Sequence, residues 1–226
     1  MKNRKWLTAT NVIILICILV YVIDRFVLGG NYSDIGEISI KIAGKDLGES
    51  KLFIELLGFN FGKLYKFMAL SINGGKILNL WQPFTYIFMH EFIFHIIVNL
   101  IALYILGNKI EKNRGIGLTL FTFIITGVVG VFISNIIVPS DSLTAGSSIA
   151  VFGLIGTALG MCFTEKGYIK SFSKKSKIYL AIYGLIFTYT SGPWTMAAHN
   201  VGLILGLIIY LIYYYSFYNK KTLVNN

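Results

Sequence analysis

Charge is scarce in this chain. Asp, Glu, Lys and Arg make up 13% of its 226 residues, about half the share usual in a soluble domain, which excludes a conventionally solvated globular surface. Cysteine is nearly absent. Cys17 and Cys162 each stand alone in an apolar stretch, so there is neither a disulfide framework nor a CxxC motif. The three prolines, Pro83, Pro139 and Pro193, avoid the interiors of the apolar runs, where each would cost a helical hydrogen bond. Acidic residues number 10 against 20 basic, a formal charge of +10. That excess does not mark a nucleic-acid partner, because the basic residues form short clusters between apolar runs rather than one basic face. What the chain has in quantity is apolar residues, 55% of the total, with a mean hydropathy of +0.70. The composition is that of an integral membrane protein.

Apolar runs of roughly 18 residues or more are long enough to cross a bilayer. The chain offers six candidates, of which the second and fifth are short: Thr8–Leu28, Phe92–Leu106, Gly115–Val138, Gly146–Phe163, Ile178–Thr190 and Met196–Phe217. The expected fold class is therefore all-α, a polytopic bundle of six transmembrane helices. Lysine and arginine collect in MKNRK, in the NKIEKNR turn, in EKGYIKSFSKKSK and in NKK, all on one side, whereas VPSDSLT and YTSGPWT on the other side are poor in base. The positive-inside rule places the basic side, with both chain ends, in the cytoplasm. The expected organisation is a cytoplasmic N-terminus and first helix over 1–28, an outer segment over 29–88, a five-helix core over 89–217 and a cytoplasmic tail over 218–226. The first run reads as a retained anchor rather than a signal peptide, since no A-x-A-like site follows Val20. The outer segment is too long for a simple turn. Its second half is aromatic and amphipathic and is expected to lie in the membrane interface with Trp81 at headgroup level, although an ordinary extracellular loop has the same composition.

All three histidines, His90, His95 and His199, lie inside or at the edge of apolar runs. An ionisable group at bilayer depth costs at least about 3 kcal/mol and is kept mainly where it lines a site. His95 and Asn99 are four residues apart, so on a helix they share one face; they serve either as interhelical hydrogen-bonding groups or as parts of a site. His90-Glu91 followed by His95 imitates the zinc motif HExxH, but histidines five apart are turned roughly 140° from each other. No metal or other cofactor is expected, and Glu91 reads as an interfacial carboxylate. The fourth run opens Gly146-Ser147-Ser148. A serine there is either a helix cap or, given a base, a nucleophile whose oxyanion meets N–H groups without intrahelical partners. His199, Gly202 and Gly206 share a stripe, and Gly153, Gly156 and Gly160 offer a matching one. Glycine stripes let helices approach closely, and packing these two would bring Ser148 to His199. Asp24 and Glu111 lie near the ends of other helices, so the pair is a dyad rather than a triad.

The ordered set Trp81…His90-x4-His95-x3-Asn99, Gly107-x3-Glu111-x3-Gly115, Gly146-Ser147-Ser148 and Ala198-His199-x2-Gly202-x3-Gly206 resembles the rhomboid family of intramembrane serine proteases. It covers roughly Trp81 to Tyr210. The resemblance implies a six-helix bundle with Ser148 as nucleophile, His199 as general base, and His95, Asn99 and the Ser148 backbone N–H as the oxyanion hole. Phe152 takes the position of an aromatic ring packed on the catalytic histidine, His90 that of a structural histidine, and Glu111 that of a loop-bracing carboxylate. Gly146, Gly202 and Gly206 are supporting residues. The implied partners are single-span or polytopic membrane protein substrates and the lipid bilayer, with no nucleic acid, cofactor or metal.

Two departures stand out. Ile149 follows the nucleophile where the family usually has glycine, and its β-branch is expected to narrow the cleft or to alter how the substrate backbone approaches. Gln82 follows Trp81 where an arginine is common, removing a charge from the outer segment. The competing class is a catalytically inactive rhomboid-like protein that binds transmembrane helices. Abundant Lys, Ile, Asn and Tyr are compatible with an AT-rich bacterial genome, hence a bacterial plasma membrane.

Overall fold

The computed structural model describes residues 8–28, 41–42, 45–46, 63–73, 75–139, 141–165, 167–189 and 192–218. Among them the long helices are α1 (Ala9–Val22, continued by a π turn over Ile23–Val27), α4 (Ile93–Arg114), α5 (Ile116–Ile137), α6 (Ser148–Thr164), α7 (Lys174–Tyr189) and α8 (Pro193–Tyr213). Two short helices, α2 (Lys63–Met68) and α3 (Gln82–Thr85), precede α4. Among the described residues, four helices are long and apolar enough to cross a membrane: Ala9–Val27, Ile93–Arg114, Ile116–Ile137 and Pro193–Phe217. α6 and α7 are shorter, with 17 and 16 residues.

The described residues are mostly helical, as expected, with a few short strands besides. β1 (Lys41–Ile42) pairs with β2 (Lys45–Asp46), and β3 (Leu70–Asn73), β4 (Lys76–Ile77) and β5 (Ser142–Thr144) form an antiparallel sheet of order β4-β3-β5. In its register Leu70 faces Thr144, while Ile72 faces both Ser142 and Ile77. Gln82, where the family charge is missing, is buried and takes up a polar role here: its Oε1 accepts the Ser71 amide at 3.0 Å, securing β3. Of the second, amphipathic half of the outer segment, 51–88, residues 51–62 and 74 lie outside the described residues. Trp81 is 45% exposed, and its Nε1 donates to the Phe67 carbonyl at 2.9 Å while its ring stacks on Phe67.

NKIEKNR is not a turn. α4 runs through it to Arg114, because Ile110 is fully buried and Glu111 acts on α1. The Glu111 carboxylate accepts the Ala9 and Thr10 amides at 2.9 and 3.1 Å and the Thr10 hydroxyl at 3.0 Å, satisfying N–H groups that a helix start leaves open and placing negative charge at its positive end. Gly115, with φ +86°, then ends α4. Likewise α7 begins at Lys174 and α8 at Pro193, both earlier than the apolar runs; proline suits the first helical position, whose N–H has no partner to lose.

The bundle is inside-out by the standards of water. Leu15, Leu19, Phe94, Ile101, Tyr104, Phe121, Ile182, Leu185, Ile204 and Ile212 are exposed, whereas Asn99, Thr119, Thr122, Thr126, Ser134 and Thr157 are buried. An apolar belt of this extent belongs against lipid, and the molecule is an integral, multi-pass membrane protein. Among these buried hydroxyls, Thr126 Oγ1 donates to the Thr122 carbonyl at 2.8 Å, Ser134 Oγ to that of Gly130 at 2.5 Å, and Thr157 Oγ1 to that of Gly206 at 3.2 Å. At the far end Arg114 pairs with Glu165, and Tyr210 donates to Glu165 Oε1 at 2.8 Å.

α6 and α8 meet backbone to backbone. A Cβ on Gly206 would lie 1.8 Å from the Gly153 carbonyl oxygen, one on Gly156 2.0 Å from that of Leu203, and one on Gly202 2.4 Å from that of Ile149. On the other side of α6, a Cβ on Gly153 would strike Thr126 Oγ1 of α5 at 2.1 Å. No side chain but hydrogen fits at these positions.

Candidate active site

The site starts at the sharp entry into α6. Gly146 has φ +139°, a conformation L side chains rarely adopt, and a Cβ there would lie 2.7 Å from Cε1 of His95. Glycine is thus required twice, for the bend and for the imidazole seated on it. Ser147 precedes the helix, but its side chain caps nothing; its Oγ lies 3.2 Å from His90 Nε2. Burial, then the neighbouring His95, holds the His90 pKa well below the usual range, so the ring is a neutral hydrogen-bonding group. Ser147 is thus engaged by His90, and the next residue faces the other side of the entry.

Ser148 is the first residue of α6, and its Oγ lies 2.9 Å from Nε2 of His199 on α8. The glycine seam sets this distance by bringing the two helix starts together. Phe152, one turn along α6, stacks flat on the His199 ring, with centroids 4.3 Å apart and planes 3° apart. His199 is fully buried and Ser148 is 8% exposed. They open into a cavity of about 420 Å³ lined by Glu91, Phe92, His95, Thr144, Ala145, Ile186, Gly192 and Thr195 as well as by the pair itself. Ile149 does not line it: its side chain packs on Gly130 and Gly202, so the expected narrowing of the cleft is corrected to a role in the α5–α6–α8 core.

His95 reaches the cavity and Asn99 sits one turn deeper, fully buried. Asn99 Nδ2 donates to the His95 carbonyl at 2.8 Å, and its Oδ1 accepts from the Tyr183 hydroxyl of α7 at 2.9 Å. Tyr183 was not legible as a site residue, although Tyr179 and Tyr183 repeat the four-residue spacing of His95 and Asn99. Glu91 is more than an interfacial carboxylate. It borders the cavity and accepts from the Tyr65 hydroxyl at 3.3 Å and from the Ala145 amide, while its own carbonyl takes a hydrogen bond from Arg25. Burial pushes its pKa up to about 7, against the opposing pull of Tyr65, Ala145 and Arg25. Among the described residues no three His, Cys, Asp or Glu side chains converge as a metal cage.

Fold and site together define a multi-pass helical membrane protein with a serine–histidine pair at the wall of a cavity. A family model described as the Rhomboid domain matches residues 78–216, and the chain belongs to the rhomboid family. It is similar to YdcA of Bacillus subtilis (strain 168), 25% identical over 57% of this chain and 65% of that protein. RHOMBOID-like protein 7 of Arabidopsis thaliana is 26% identical over 70% of this chain and 50% of its own length. Rhomboid protease GluP of Bacillus subtilis (strain 168) is 29% identical over 56% of this chain and 24% of that protein. The chain thus spans less than two thirds of each relative's length.

Proposed function

We propose that this chain is an intramembrane serine endopeptidase that hydrolyses peptide bonds in or near transmembrane segments of other membrane proteins, with Ser148 as nucleophile and His199 as general base. The carrying observation is the 2.9 Å contact between Ser148 Oγ and His199 Nε2 at the wall of a cavity inside a lipid-facing bundle. His199 takes the hydroxyl proton as Oγ attacks the scissile carbonyl, then delivers it to the leaving amine; water completes the cycle by hydrolysing the acyl-enzyme. The oxyanion is met by the Ser148 N–H, free of intrahelical bonding at the first helical position, and by His95 and Asn99.

Six spans carry this core. At 1.5 Å per residue, the 17 residues of α6 cover about 26 Å, less than the roughly 30 Å of bilayer hydrocarbon, which favours a serine recessed below the outer surface. The cytoplasmic side is the one bearing Lys109, Lys112, Arg114, Lys170, Lys174 and Lys175, in a bacterial plasma membrane. A second, apolar opening between α4 and α7, lined by Phe94, Val98, Tyr179, Ile182 and Ile186, offers a lateral way in for a substrate helix.

The test is reconstitution with a model single-span substrate and cleavage scored on a gel. Wild type and Ser147→Ala are expected to cleave, while Ser148→Ala and His199→Ala fall to background. Binding without cleavage by wild type across several substrates favours the inactive, helix-binding class.

A further inference from the structure

Among the described side chains of α7, Tyr183 alone is fully buried; Ile178, Ile182, Leu185 and Ile186 on the same helix are exposed. A tyrosine buried in the core from such a helix has to satisfy its hydroxyl there. Tyr183 does so on Asn99 Oδ1 at 2.9 Å, while its ring lies 5.7 Å from Phe152, the ring stacked on His199. The Asn99 amide is thereby fixed from both ends: Nδ2 donates to the His95 carbonyl, and Oδ1 accepts from Tyr183. An amide flipped by 180° would set oxygen against the His95 carbonyl oxygen. The orientation is therefore determined, and one of the two Nδ2 hydrogens is left for an external oxygen.

On the protease reading above, we infer that Tyr183 is a positioning residue that holds the Asn99 amide as an oxyanion donor and makes that donor dependent on α7 being docked. Without the Tyr183 hydroxyl, Oδ1 is a buried acceptor with no partner, and the amide gains a reason to rotate. A second tyrosine provides the comparison. Tyr179, one turn earlier, donates to the Val98 carbonyl at 2.6 Å and so also ties α7 to α4, without touching Asn99.

The experiment is a cleavage assay on Tyr183→Phe, Tyr179→Phe, Asn99→Ala and the double variant Tyr183→Phe/Asn99→Ala. Tyr183→Phe keeps the ring and its packing. It is expected to lower kcat about tenfold with KM little changed, and to have no further effect in the Asn99→Ala background, as coupled partners do. Tyr179→Phe, at a residue that also lines the lateral opening, is expected to change KM while kcat stays within about twofold of wild type. Effects that multiply in the double variant, or an equal loss in Tyr179→Phe, overturn the inference by assigning the loss to α7 docking alone. A wild type without Ser148-dependent cleavage fails the protease reading itself, and this inference falls with it.

Discussion

A carboxylate wedged between a tyrosine, a backbone amide and the Ser148–His199 cavity has a measurable signature. Glu91 faces the Tyr65 hydroxyl, the Ala145 amide and the charge of Arg25, and its pKa rises on folding from 4.5 to about 7. The folded chain therefore binds this proton more tightly than the unfolded chain does. By linkage, the stability it contributes is fully present below the unfolded pKa and is lost as pH rises through the folded one. The thermal midpoint in detergent is expected to fall between about pH 5 and pH 8, and Glu91→Gln to flatten that fall. A slope that persists unchanged in Glu91→Gln would assign it to another group. The residue scale also shows what sequence can carry. The i, i+4 spacing of His95 and Asn99 puts them on one face, and the structure pairs Ser147 with His90 and Ser148 with His199. Tyr183 and Glu91 escaped because a tyrosine in an apolar run and a carboxylate at its edge look like packing and interface; their partners come from elements distant in the chain.

At the scale of elements, the helices were legible from apolar periodicity and length, and their ends were not. Hydropathy fades at the first charges, but helical hydrogen bonding does not, so α4 continues through NKIEKNR because Ile110 and Glu111 have work on α1. The two-to-four-residue strands had no alternation long enough to read. The glycine stripes were legible, and their energetics are testable. Gly206→Ala puts a Cβ against the Gly153 carbonyl, and overpacking of this kind costs about 1–3 kcal/mol, here toward the upper end because backbone must move. The expected outcome is a lowered thermal midpoint together with reduced labelling of Ser148 by a fluorophosphonate. Gly184 of α7 is the contrast: nothing lies within 4 Å of a Cβ there, so Gly184→Ala is expected to stabilise by about 0.5–1 kcal/mol through helix propensity alone.

On the proposed topology, the orientation of the whole molecule follows its charge. Asp141 precedes β5 and Lys170 follows α6, both exposed and at opposite ends of that helix. With Cys17 and Cys162 replaced by alanine, Asp141→Cys is expected to react with a membrane-impermeant maleimide on intact cells, and Lys170→Cys only after lysis. Labelling of both from outside would overturn the six-span topology.

The contact between α6 and α8 also sets a scale of length. With only backbone between Gly153 and Gly206, and between Gly156 and Leu203, a slide of one residue, about 1.5 Å, drives a Cβ into a carbonyl. The two helices therefore have a single register, and the depth at which Ser148 meets His199 is gauged from within the protein. A thinner or thicker bilayer deforms, or tilts the molecule, but the spacing of that pair stays the same in every membrane the chain enters.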